Sequence, residues 1–324
     1  MAPDMEELEQ EYRRHRGTWL EPGWPKERKH KKHKEKRSVG PYIDLHTHTI
    51  YSDGEDYPEM LIRHAALRGV DELAVTDHDT TVAYDECKRW GERFGIKVIP
   101  GVEVTTKHYH ILGLGVNPRD EGLKMLLSRS LSCRVQKVQR YVDTLREEGI
   151  PITREKIDVA FPASPVGRWK LVLAMMQDAE CRAHLKSINS TAYRTLHERV
   201  KEIDDSMLKG PYVGVQETID AIHGAGGIAI VAHPFVKLTD PSDLSELVGL
   251  GLDGLEVQPH FGEKNLPFIE YAREHKLIIT CGSDYHGWTQ PTRTLLGRDM
   301  EDKVNALLAA PRQNLRLLAD IYSS

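Results

Sequence analysis

Five times along this chain a short apolar run ends directly on histidine, aspartate or glutamate, and no other feature restricts the fold as strongly. Ile43 and Leu45 lead into His46 and His48, and Asp53 follows in a Ser52-Asp53-Gly54 turn. Leu73 to Thr76 run into Asp77, His78 and Asp79, and Lys97 to Val102 end on Glu103. Ile228 to Ala232 run into His233, and Leu277 to Cys281 run towards Asp284 and His286. Strand side chains alternate, so His46 and His48 share a side. In a parallel α/β barrel the carboxyl ends of all strands open on one face, where such groups collect. Neutral imidazole and carboxylate are the ligands that intermediate divalent metals take. With sixteen histidines a lone His-x-His means little, and a second stands at His108 and His110, so the reading rests on the five together.

The chain divides into four stretches. Residues 1–40 hold a possible polar helix from Glu6 to Arg16 and a basic run from Lys26 to Arg37 with no apolar face to bury. That run is either a solubilising leader or an electrostatic arm for RNA or DNA phosphates, and His30 and His33 within it make no metal site. Residues 41–116 read as the first part of a barrel, with helices from Pro58 to Arg68 and from Val82 to Phe94 stopped by Gly69 and Gly95. His64 lies in the first helix and reads as packing. A strand starting at His108 places His110 inside. Residues 117–212 lose the strand pattern and read as a helical insertion or cap over the barrel mouth, where substrate is selected. In it Arg168 and Lys170, near a helix start at Val166, are either phosphate contacts or surface cations. Residues 213–324 resume the barrel: helices at 218–224, 244–250 and 266–274, strands at 228–232, 254–257 and 277–281, and a last helix at 305–318. About seven strands close the barrel.

Several classes are excluded. A formal charge of −5 argues against a globally basic nucleic-acid binder, and no apolar run approaches the roughly 20 residues of a membrane helix. Cys87, Cys133, Cys181 and Cys281 are scattered without a Cys-x-x-Cys pair, as in a reduced cytoplasmic protein. Cys281 sits in a strand as a packing residue, and no Gly-x-Ser-x-Gly elbow offers a serine nucleophile. A soluble, cytoplasmic protein is expected.

His46-Thr47-His48, Ser52-Asp53-Gly54, Thr76 to Asp79, Pro100 to Glu103, His110 to Gly113, Ala232-His233-Pro234 and Gly282 to His286 resemble, in order, the motifs of the PHP (polymerase and histidinol phosphatase) family. The resemblance spans residues 41 to about 290. It implies a distorted (β/α)7 barrel with a trinuclear metal site that hydrolyses phosphate esters. By position it implies His46, His48, Glu103 and Asp284 on one metal. Glu103 would bridge to a second metal shared with His110 and His233, and Asp53, His78 and His286 would hold the third. The helical insertion, Gly167-Arg168 and the Gly226 to Pro234 segment are most similar to the branch of 3′,5′-nucleoside bisphosphate phosphatases and 5′→3′ exoribonucleases. Trp169 and Lys170 stand where that branch commonly has a histidine, and Phe235, Val236 and Lys237 where it often has Gly-Arg.

Such an all-N/O donor set favours Mn²⁺, Zn²⁺ or Fe²⁺ over Mg²⁺. The mechanism expected is attack on phosphorus by a metal-bridging hydroxide, with Arg168 and Lys237 clamping a phosphate and Trp169 or Phe235 stacking on a base. Asp77 and Asp79 are expected to orient imidazoles. The substrate would be a phosphorylated small molecule or oligonucleotide. Two other readings stand beside it: a hydrolase of a non-nucleotide phosphate monoester or cyclic phosphodiester, and a nucleic-acid-binding protein with a structural metal site.

Overall fold

Gly69 and Gly95 end the first two helices in the left-handed conformation, with φ of 73° and 69°, which a residue without a Cβ adopts at no steric cost. The computed structural model describes residues 42–160, 168–187, 202–203 and 212–287, and the side chains of Arg168 and Trp169 lie outside what it describes. The basic run at 26–37 and the helix expected at 305–318 also lie outside the described residues.

The elements run β1 (Ile43–Asp44), α1 (Pro58–Arg68), β2 (Glu72–Val75), α2 (Tyr84–Phe94), β3 (Lys97–Thr105), β4 (His110–Leu114), α3 (Glu121–Glu147), α4 (Arg154–Ala160), α5 (Arg168–Gln177) and α6 (Ala179–Ser187). Then follow α7 (Val215–Gly224), β5 (Ile228–Val231), α8 (Ser245–Gly249), β6 (Gly254–Val257), α9 (Leu266–Glu274) and β7 (Ile278–Cys281). The helix expected over 244–250 is α8, preceded by a 3-10 turn at Pro241–Leu244.

The seven strands pair in chain order. The sheet closes where Leu45 N donates to Cys281 O at 3.1 Å and Thr47 bridges Tyr285, so the fold is a distorted (β/α)7 barrel. The barrel departs from a parallel arrangement at β4, which is antiparallel to both β3 and β5. The cause is local. Only residues 106–109 join β3 to β4, closed by Thr106 N to Tyr109 O at 3.0 Å, and a parallel return needs a crossover of a dozen residues or more. The reversal sets the first residue of β4, His110, opposite Thr105 at the carboxyl end of β3.

Inside the barrel Leu45, Ala74, Ile99, Leu112, Leu114, Ile230 and Ala232 form an apolar plug beneath the strand ends. Helix α3 is capped by Asp120, whose carboxylate accepts from Leu123 N at 2.8 Å. Its first turns bury Leu123, Leu126 and Leu127 in the barrel's outer core. Its last turns, Val138 to Leu145, build a separate core with Ile157, Leu171, Met175 and Leu185 from α4, α5 and α6. No described helix is long and apolar enough to cross a membrane, and all four cysteines are free thiols.

Candidate metal centre

Six of the seven strands send a candidate ligand to one end of the barrel. β1 and the turn after it supply His46, His48 and Asp53, β2 supplies His78, β3 Glu103, β4 His110, β5 His233, and β7 Asp284 and His286. Glu103 lies in the middle. Its Oε2 is 3.1 Å from His46 Nε2, 3.2 Å from His48 Nε2 and 3.3 Å from His78 Nδ1. Its Oε1 is 2.8 Å from His110 Nδ1 and 3.1 Å from His233 Nε2. Asp284 Oδ1 stands 3.2 Å from His48 Nε2, and Asp53 stands 3.2 Å from His286 and 3.6 Å from His78. Among the described residues three donor groups converge closely enough to hold a cation: His46, His48, Glu103 and Asp284; His48, Asp53, His78 and His286; and His78, Glu103 and His110. His48 and His78 thus border more than one group, and His233 joins through Glu103 Oε1.

The donor chemistry fits metal ions. His46 Nε2 and His48 Nε2 lie 3.0 Å apart, where at most one proton separates two nitrogens. Asp53 Oδ1, His78 Nδ1 and His233 Nδ1 are buried without a hydrogen-bond partner, a cost that a shared cation relieves. The backbone is also strained here. Asp79, His233 and Asp284 adopt positive φ of 57°, 33° and 54° at the ends of β2, β5 and β7, which costs roughly 1–3 kcal/mol each and collects at functional sites. Gly54 is obligatory, since a Cβ there would lie 2.6 Å from the His48 carbonyl.

Burial disfavours charge on Glu103 and Asp53, yet the surrounding imidazoles, His78 foremost, hold both carboxyls well below the usual range. Burial likewise opposes protonation of His46 and His48. The carboxylates of Glu256, Glu103 and Asp284 outweigh it at His46 and raise its pKa well above the ordinary value. Hydrogen bonds to Asp284 and Glu103 raise His48 to about 9. Burial and the Arg134 charge depress His78, and burial depresses His110 against the pull of Glu103. Metal must therefore displace the proton that His46 and His48 share between their Nε2 atoms. Loading is expected to release about one proton per chain from this pair, and apparent affinity to climb by up to about tenfold per pH unit below pH 9, then flatten. Calorimetric titration in buffers of different ionisation enthalpy measures this, and a heat independent of buffer would contradict it.

Several expectations change. Asp77 accepts from Thr49 N, Thr49 Oγ1 and Ser52 Oγ at 2.7, 2.6 and 2.6 Å, and Asp79 accepts from Thr105 N, Ser130 Oγ and Arg134 Nε at 2.8, 2.7 and 3.2 Å. Neither carboxylate bonds an imidazole; they fasten the loops and a guanidinium. The imidazole is oriented instead by Glu256 of β6, whose Oε1 is 2.8 Å from His46 Nδ1 while Oε2 accepts the backbone N–H of His233 at 2.9 Å. A lone carboxylate inside the apolar run Gly254 to Val257 was its signal in the sequence. Arg134 of α3 was also missed. Its Nη2 donates to Thr105 Oγ1 at 3.2 Å and its Nη1 lies 3.7 Å from Asp53, putting a buried cation at the edge of the donor cluster.

Lys170 does not face the centre. It is wholly buried, and its Nζ donates to Ser52 O at 2.8 Å and Ile50 O at 3.3 Å beneath the turn that carries Asp53. Burial lowers its pKa to about 7 against the pull of Asp53 and Asp77. Phe235 packs on Phe261 and Phe268, at 4.8 and 6.4 Å between ring centroids, so it is a packing residue. Lys237 and His108 are exposed. His64 is buried against Asp56 at 2.6 Å, away from the donors. Cys281 is buried, and burial pushes its thiol well above the ordinary range.

Residues 44–247 match the family model for the PHP domain. The chain is 32% identical over 261 residues to the phosphoribosyl 1,2-cyclic phosphate 1,2-diphosphodiesterase of Eggerthella lenta, a match covering 75% of this chain and 94% of that protein. It is 28% identical to a 5′-3′ exoribonuclease of Haemophilus influenzae, over 81% of this chain and 96% of that one. A crystal structure from Bifidobacterium adolescentis assigned as a metal-dependent phosphoesterase superposes with a TM-score of 0.65 at 26% identity, covering 82% of this chain and 95% of that one.

Proposed function

The chain belongs to the PHP family and is a metal-dependent phosphoric ester hydrolase, and from that premise we propose that it cleaves a phosphate ester carried on ribose, in a nucleotide or short RNA. The observation that carries this reading is the gathering of eight imidazole and carboxylate groups around Glu103, with the Arg134 guanidinium at their edge.

In this reading His46, His48, Glu103 and Asp284 hold one ion, Glu103 with His110 and His233 a second, and Asp53, His78 and His286 a third, with Mn²⁺, Zn²⁺ or Fe²⁺ suited to the donors. When bound, the ions supply Lewis acidity and an activated water for attack on phosphorus. The protein's own residues do the rest. Glu256 fixes the His46 tautomer so that Nε2 is free to ligate, and the raised pKa values of His46 and His48 make occupancy of the centre depend on pH. Arg134, held by Asp79 and Thr105, offers a charge-assisted hydrogen bond to a phosphoryl oxygen beside Asp53.

A second reading, hydrolysis of a cyclic phosphodiester on phosphoribose, is favoured by a specific observation. Lys170, read from the sequence as either a phosphate contact or a surface cation, is buried under the Ser52 turn and offers no grip on a phosphate, and the relative from Eggerthella lenta acts on such a ring. The two are separated by measuring release from a 3′,5′-nucleoside bisphosphate, a 5′-phosphorylated RNA oligomer and a phosphoribosyl 1,2-cyclic phosphate with Mn²⁺-loaded protein. In the same assay Arg134→Gln is expected to lower kcat/KM by about 10–100-fold, the worth of one charged hydrogen bond of roughly 1.5–3 kcal/mol. Unchanged kcat/KM in that variant would remove Arg134 from the phosphate site.

A further inference from the structure

We propose that Lys170 is a positioning residue through which the helices following α3 hold the Ser52-Asp53 turn, and with it one part of the metal centre, in place. The proposal rests on the metal reading above for the role of Asp53 and on geometry for the rest.

The turn between His48 and Asp53 is anchored from two sides. From the barrel, Asp77 takes the backbone N–H of Thr49 and the hydroxyls of Thr49 and Ser52, while Ile50 N donates to Asp56 O at 2.9 Å. From α5 the ammonium of Lys170 donates to the carbonyl oxygens of Ile50 and Ser52. The Ser52 carbonyl belongs to the peptide that leads into Asp53 and the Ile50 carbonyl lies two residues before it, so their position bears on that of the Asp53 carboxylate, 3.2 Å from His286 and 3.6 Å from His78.

The choice of residue is informative. Lys170 stands at the start of α5, beside Leu171 and Val172, which are buried in the core shared by α3 to α6. An aliphatic side chain would pack there without bringing a charge out of water. A buried ammonium is retained where its donors are used, and here two are used on one turn. The core of α4 to α6 is distinct from the barrel's, so this link joins a second packed unit to the metal-binding turn.

The test uses the full chain with Lys170→Met and Lys170→Arg, reading amide hydrogen exchange in the metal-free protein and Mn²⁺ binding by calorimetry. Lys170→Met is expected to speed exchange at residues 50–54 by tenfold or more while β3 and β5 keep their rates, and to weaken the weakest Mn²⁺ site by about tenfold. Lys170→Arg, which keeps a buried cationic donor, is expected to recover most of both. Unchanged exchange at 50–54 in Lys170→Met would overturn the proposal. So would acceleration spread evenly over the barrel, or an arginine variant no better than methionine. If the wild-type chain binds no Mn²⁺, the metal reading fails by itself, and the exchange pattern still decides whether Lys170 holds the turn.

Discussion

Glu103→Gln is expected to cut turnover by about a thousandfold at saturating metal. Glutamine keeps the shape and removes one charge at the point where five imidazoles meet: His46, His48 and His78 on one oxygen, His110 and His233 on the other. Breaking a buried charged pair by removing one partner costs roughly 3–5 kcal/mol, and each 1.36 kcal/mol in a barrier is tenfold in rate, so two to four orders of magnitude follow. Glu103 serves more than one donor group, so bound metal falls along with turnover. The amide also withdraws the charge that helps keep the shared proton on the His46–His48 pair, so in the variant the pair titrates lower and releases less of a proton on metal loading. Steady-state kinetics with metal analysis on the same sample measures this. A variant within tenfold of wild type at full metal content would take Glu103 out of the centre.

The second large effect is expected at Glu256, which no ligand motif marks. Its two oxygens serve two ligands at once, one accepting the Nδ1–H of His46 and the other the backbone N–H of His233 in its left-handed conformation. Glu256→Gln replaces one acceptor by an NH₂ group, which favours the His46 tautomer with its proton on Nε2, the atom aimed at Glu103 and Asp284. Loss of such a supporting carboxylate costs about 10–100-fold in metal affinity or activity. The expected signature is a kcat deficit of that size, partly recovered by excess Mn²⁺, with KM for the phosphate ester unchanged, because Glu256 lies beneath the ligands. A raised KM with normal metal affinity would contradict it.

How far the sequence reveals this structure depends on the kind of signal. The strand ends and their donors are legible because a run such as Leu73 to Thr76 followed by Asp77-His78-Asp79 needs only alternation and a boundary to be read. The direction of β4 is harder. His110 to Leu114 is the same apolar run in either direction, and its turn, Thr106 to Tyr109, lacks the Asn-Gly or Asp-Gly pair that flags a hairpin. The brevity of that turn was the usable clue. Arg134 could not be found from pattern, since it is one cation on a long charged helix and only the packing of α3 on β3 turns it inward. Lys170 was misread for the same reason: helical spacing does not say which cation lies under a neighbouring turn. Asp77 and Asp79 flank His78 in sequence, but alternation and the left-handed backbone at Asp79 send them to the loops instead of the imidazoles.

The central claim is that the donors around Glu103 form a metal centre that hydrolyses a phosphate ester on ribose. Phosphate release by Mn²⁺-reconstituted protein tests it most directly, using the nucleoside bisphosphate, the 5′-phosphorylated RNA and the phosphoribosyl cyclic phosphate in parallel, with Glu103→Gln beside the wild type. Turnover on at least one substrate that needs metal and collapses in the variant is the predicted result. Metal bound at the expected donors with no release from any of the three would contradict the ribose-phosphate reading and return the centre to a structural role.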